Sequence, residues 1–158
     1  MTTLTLWLFL LCMACWLGAM VFFALIVAPI IFSRLVLPDA GKVVSGIFPR
    51  YYLFSYVVGA GALIVALYFL FYQQGNRGWW GLVSLLVAGA LGITLYAGIV
   101  VRPQVDTIRT VVEQPTPDPT VKARFDKLHQ LSVRLNGAVM VLNLLSLGAV
   151  AAAVTRHG

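Results

Sequence analysis

Acidic side chains are scarce in this sequence: 158 residues hold five, Asp39, Asp106, Glu113, Asp118 and Asp126, and none interrupts a long apolar run. That scarcity removes the paired carboxylates that share proton-transfer work in a buried site. It also argues against proton-coupled transport through an intramembrane acid. No Ser-His-Asp order, phosphate loop or H-E-x-x-H occurs, so hydrolysis lacks its usual parts. Two cysteines, Cys12 and Cys15, make no disulfide framework. There is no polybasic run for specific lipid recognition, and no low-complexity linker or repeat of useful period that would mark a second domain.

Apolar residues are abundant. The chain is 61% hydrophobic and 10% charged with a mean hydropathy of +0.94, too little polar surface for a soluble globule. Four segments, 4–32, 51–72, 79–101 and 135–155, exceed or match the roughly 20 helical residues that cross a bilayer. The first is long enough that it must tilt, kink or end near Pro29. It lacks a basic n-region and is too long for a cleaved signal peptide, so it is expected to stay as a signal-anchor span. Trp7, Tyr51, Tyr52, Tyr72, Trp79 and Trp80 fall near span ends, as interfacial anchors do. Trp16 is the exception.

The net charge of +6 would suggest nucleic acid in a soluble protein, but here the cations flank hydrophobic spans and no nucleic-acid partner is expected. The loops between spans one and two and between three and four carry nine of the eleven Lys and Arg, against Arg77 and Arg156 on the other side. The positive-inside rule then predicts a multi-pass protein of the cell (cytoplasmic, inner) membrane with both termini on the non-cytoplasmic side. In the first of those loops Ala40, Val43, Val44, Ile47 and Phe48 share one helical face, with Pro38 in the first turn and Pro49 as a stop. This predicts a short interfacial helix over 39–48. In the other loop, Val105, Ile108 and Val112, then Val121, Phe125, Leu128 and Ser132, prolong the stripes of spans three and four around the proline-punctuated turn 114–120. The expectation is a helical hairpin over 102–134, reaching roughly 18 Å beyond the bilayer at 1.5 Å per residue. Arg109 with Glu113 and Lys122 with Asp126 are read as solvated i,i+4 pairs on it.

A Pro and Phe ending the first hydrophobic helix, then Ala40-Gly41, Phe48-Pro49 and Tyr51-Tyr52, form a pattern that resembles the TMEM205-like membrane proteins (DUF4149). Arg102-Pro103 closing the third run agrees with it, as do Phe125, Leu128, His129, Leu131, Ser132 and Asn136 in an F-x-x-L-H-x-L-S pattern. The resemblance implies a four-span membrane protein, linked in animal members to platinum-drug resistance, and supplies no active site.

Small residues recur every four positions at Ser84, Ala88 and Gly92, at Ser55 and Gly59, and at Ala14 and Gly18, which lets membrane helices approach closely. The expected fold is therefore an all-α, antiparallel four-helix membrane bundle, whose grooves could equally serve a homo-oligomer or a partner membrane protein. Cys12 and Cys15 share a helix face and, with Met140, are soft donors suited to a soft metal. They are equally ordinary apolar packing residues. His129, on a face with Phe125, Ser132 and Asn136, is a candidate proton carrier or haem ligand. Arg34, Arg50, Arg102 and Arg134, with Tyr51 at the same level, would form an anion-binding pocket if they converge, and otherwise snorkel to the interface. Asn136 and Asn143 carry polarity into span four.

Three functions fit these residues. One is a small transporter or resistance factor for a soft metal complex or small amphipathic solute, with no resident cofactor. The second is a noncatalytic accessory or assembly subunit, and the third a haem- or quinone-binding membrane enzyme. The non-enzymatic classes are preferred because no catalytic constellation is present.

Overall fold

The structure is a computed structural model that describes residues 2–72, 77–112 and 118–155. Every element in it is helical: α1 (Thr2–Phe22), a π-turn π1 (Phe23–Val27), α2 (Ala28–Arg34), α3 (Leu37–Tyr72), α4 (Arg77–Tyr96), a π-turn π2 (Ala97–Val101), α5 (Arg102–Val112) and α6 (Pro119–Thr155). Four continuous stretches, Thr3–Arg34, Leu37–Tyr72, Arg77–Arg109 and Pro119–Thr155, are long and apolar enough to cross a membrane. Large apolar side chains such as Leu25, Ile64 and Leu85 cover the outside, the surface of a multi-pass membrane protein. Lipid costs them nothing.

Consecutive long helices pack side by side, and α6 closes the ring on α1. Small residues set the spacing. A Cβ on Gly59 would lie 2.8 Å from Cη2 of Trp16, so only glycine lets the α1 tryptophan enter between α3 and α4. Trp16 is fully buried rather than interfacial, among Phe9, Met13, Val83 and Val87. Toward the termini, Trp80 stacks on Phe69 at 4.2 Å and takes Phe9 edge-on at 5.9 Å. Three hydroxyls inside the bundle return to their own helices, whereas the buried Ser84 Oγ has no partner. Ser55, Thr94 and Ser146 each donate to the carbonyl four residues back, which satisfies them without water.

Two prolines interrupt apolar helices without ending them. Pro29 follows π1 and Pro103 follows π2, each two positions past the last π residue, with Ala28 N–H reaching the Phe23 carbonyl and Arg102 N–H the Ala97 carbonyl. A proline ring strikes the carbonyl four residues earlier, and a turn widened by one residue moves that carbonyl aside. The first span therefore neither stops nor breaks at Pro29. In secondary structure the chain consists of two alike hairpins. Each has an outgoing helix with a π-turn and proline, followed by a long returning helix that begins at Leu37, just before Pro38, or at Pro119.

Two expectations need correction here. The segment 39–48 is not a separate short helix stopped by Pro49 but the first part of α3, and Pro49 lies inside that helix. Its apolar face is taken up by protein: Ala40 and Val44 bury against Ile31, with Ile47, Phe48 and Val27 around them. Burial of that face outweighs the one hydrogen bond a mid-helix proline forfeits, and Arg50 donates to the Gly46 carbonyl at 3.0 Å beside it. Likewise the proline-rich turn is shorter than 114–120, since Pro119 and Thr120 belong to α6; residues 113–117 lie outside the described residues. Asp118 caps that helix, accepting from the Thr120 backbone N–H and hydroxyl at 2.7 Å each.

Candidate functional site

At the end of the bundle that carries most of the basic residues, the two hairpins separate around a cavity of about 710 Å³. Its first wall comes from the outgoing helix of hairpin one: Met20, then Phe23 and Ala24 of π1, then Ala28 and Phe32. The second is the start of α3, with Gly41, Val44, Phe48, Tyr51 and Tyr52. Aromatic rings pave the corner between these walls, Phe23 lying 5.4 Å from Phe48 and 5.7 Å from Tyr51. From the second hairpin, α5 contributes Arg102, Val105, Asp106 and Arg109. The last wall is α6, where Phe125, His129, Ser132, Asn136 and Met140 recur at helical spacing on one face.

The polar groups gather on α5. Arg102, Asp106 and Arg109 sit at i, i+4 and i+7, so one turn of helix after another points the same way. Asp106 holds Arg102 through Oδ2 at 3.2 Å and accepts from the Ser45 hydroxyl through Oδ1 at 3.1 Å. Arg109 donates to the Gly41 carbonyl at 2.7 Å and to Ser45 Oγ, and lies 4.0 Å from Asp106. This chain of bonds pins α5 to the start of α3. Its side chains are 25%, 29% and 13% exposed for Arg102, Asp106 and Arg109, so the charges work in a partly dehydrated setting. Two arginines against one carboxylate leave an excess cation, and Arg102 Nε is buried without a partner. Asn136 is within hydrogen-bonding reach of Tyr52, and His129 lies parallel to Phe125 at 6.2 Å.

Of the residues singled out from sequence, Tyr51, Arg102, His129, Asn136 and Met140 meet at this cavity. Arg34, Arg50 and Arg134 do not; all three are exposed and none lines the cavity. Asn143 is fully buried on the α6 face below Met140, its amide 4.0 Å from Met20 Sδ and its Oδ1 unpartnered. The sulfur set is split. Cys12 packs against Gly61 and Cys15 is exposed on α1, neither at the cavity that Met140 lines. Among the described residues no cluster of three His, Cys, Asp or Glu could hold a metal ion.

Sequence reasoning missed Asp106, Arg109 and Ser45. The i,i+4 spacing pairs Arg109 with Glu113 on a wet surface; Glu113 is outside the described residues, and Arg109 faces inward to α3. Among the described residues no ion pair joins Lys122 to Asp126 either. The available signal was the i, i+4, i+7 spacing of Arg102, Asp106 and Arg109. What hid it was the missing partner wall, because α3 was expected to begin after Pro49.

A family profile matches residues 11–114. The chain belongs to the DUF4149 family. That family is described as a domain of unknown function. The matched stretch of this DUF4149 protein covers both π-turns, the start of α3 and the Arg102–Asp106–Arg109 face, whereas the α6 wall with His129, Asn136 and Met140 lies beyond it. No curated protein and no solved structure matches the chain.

Proposed function

We propose that this DUF4149 protein is a small carrier of the TMEM205-like type, which takes a small amphipathic solute into the cavity between its hairpins. One observation carries this: a 710 Å³ apolar cavity with a few convergent polar groups lies where two alike hairpins are each interrupted by a π-turn and a proline. Pockets of roughly 300–1,000 Å³ suit small ligands, and proline-interrupted helices in corresponding halves point to transporter sites. The excess of Lys and Arg at this end supports a mouth on the cytoplasmic side of the cell membrane, with both termini opposite. A soft metal complex would find no thiol at the cavity, the thioethers of Met20 and Met140 and the His129 imidazole being its donors, so the amphipathic solute is favoured over it. A haem held by His129 and Met140 is disfavoured too. Eleven helical residues separate them by roughly 16 Å, too far for two ligands of one iron. We read the protein as non-enzymatic.

Photolabelling tests this. A diazirine-bearing amphiphile added to the reconstituted protein should label Phe23 and Met140 saturably and leave outward Leu85 and Leu145 at the background of bulk lipid. Uniform, non-saturable labelling would remove the cavity as a binding site.

A second function, an accessory subunit, has one observation in its favour. Of the small-residue pairs, Ser55–Gly59 is used inside the bundle, but Ala14–Gly18 and Ala88–Gly92 remain open on outer faces. A partner helix seated there would be lost on Gly92→Leu, seen as loss of a cross-linked complex in native membranes.

A further inference from the structure

The charge and size of the cavity narrow its ligand, given the cavity-binding function proposed above. We infer that it takes a long-chain carboxylate, a single-chain monoanion that enters sideways from the bilayer. Arg102 and Arg109 face Asp106, and His129 is the other titratable side chain on the α6 wall; Tyr51, Tyr52, Ser132 and Asn136 are uncharged. With neutral His129 the balance is one excess positive charge. Asp106 is engaged by Ser45 at one oxygen and Arg102 at the other, and Arg109 is bonded to Gly41 and Ser45. Arg102 is the more open of the two cations, its side chain 25% exposed against 13% for Arg109, with Asp106 engaging Nη2 and leaving the rest of the fork for a ligand. A carboxylate matches a guanidinium in charge and in fork geometry. A neutral head would leave the excess charge unmet in a partly dehydrated site.

The walls away from Arg102 are apolar, with Met20, Phe23, Phe32, Val133 and Met140 available to a chain. Taking each methylene at about the 30 Å³ of a water, a chain of sixteen to eighteen carbons needs roughly 500 Å³, and two such chains need about 1,000 Å³. The first fits in 710 Å³ and the second does not. The path in is lateral. α1 packs on α6, but beyond π1 the outgoing helix has at most marginal contact with α6. Phe32 and Val133, both exposed, stand on either side of that gap.

The test uses the full chain in phosphatidylcholine nanodiscs with cis-parinaric acid, a fluorescent eighteen-carbon carboxylate, displaced by oleate, oleyl alcohol or dioleoyl phosphatidylglycerol. Oleate is expected to displace the probe at one per chain and to bind about ten-fold or more tighter than oleyl alcohol. Arg102→Gln should bring oleate down to the level of the alcohol, Arg102→Lys should recover much of the difference, and Met140→Trp should block every ligand by filling the space. Equal binding of oleate and the alcohol would overturn the carboxylate, and displacement by the two-chain phospholipid as effective as by oleate would overturn the single chain. In both cases the cavity would survive as a binding site. Probe binding unaffected by Met140→Trp would instead remove the cavity itself. Should Arg102→Gln fail to fold, the oleate-to-alcohol ratio on the unaltered protein still decides.

Discussion

The same four helices build two unlike ends. Toward the termini, Phe9, Met13, Trp16, Phe69 and Trp80 fill the space between them, and Gly59 removes the last Cβ that would hold the backbones apart. Toward the basic loops, π1 and π2 interrupt the outgoing helices, a few polar side chains join the aromatic and apolar ones, and a cavity is left. One end is closed and the other open on the same four helices. The difference lies in the two π-turns and in what occupies the inward positions, since the outer apolar surface is alike at both ends.

Substitutions that reverse these occupancies separate the two ends. Trp16→Ala should have the largest effect, a loss near the lower end of about 3–5 kcal/mol because lipid, unlike water, welcomes the exposed surface. It is read as a fall in thermal midpoint. Gly59→Ala should cost about 1–3 kcal/mol by overpacking against a tryptophan with nowhere to go. Gly98→Ala sharpens the contrast. Its Cβ would meet the Tyr56 hydroxyl and lie 2.7 Å from Tyr52 Cδ1, but Tyr52 borders open space and can yield into it. Less stability should be lost than at Gly59 and more ligand binding, measured side by side on the two variants.

Asp106→Asn should cost about 1–2 kcal/mol, a charged hydrogen-bond network discounted for partial exposure. Faster hydrogen exchange is expected in 102–112 and 37–48 and not around Trp16. The smallest effect concerns Asp118. The Thr120 hydroxyl, and then its backbone N–H, hold this carboxyl below its ordinary 3.8. A folded value below the unfolded one means that the cap's contribution is complete above about pH 4. It is lost as pH falls through the folded value. Exchange at 119–122 should accelerate in acid, and Asp118→Ala should abolish that dependence while leaving the closed end unchanged.

The α6 wall was legible from one helix alone. Phe125, His129, Ser132 and Asn136 share a face by spacing, and that face turned out to line the cavity. Arg102 and Tyr51 were legible by level, since both lie at the basic end of their spans. Asp106 and Arg109 were not, because a charged pair on a helix reads as solvated until a second helix is known to stand against it. Pro49 misled for a related reason. A proline's local cost is fixed, but the burial of Ala40 and Val44 that offsets it belongs to contacts with Ile31, a residue before the turn.

By itself, the sequence determined the four long helices, the apolar exterior and the charge asymmetry, because composition and periodicity act through neighbours along one helix. The tertiary structure alone decided that Trp16 is core, that the cysteines stand apart from Met140, and that an arginine-rich face of α5 closes on α3. Those outcomes depend on which helix stands opposite which, and pairing across 60 residues and more leaves no periodic trace in the chain.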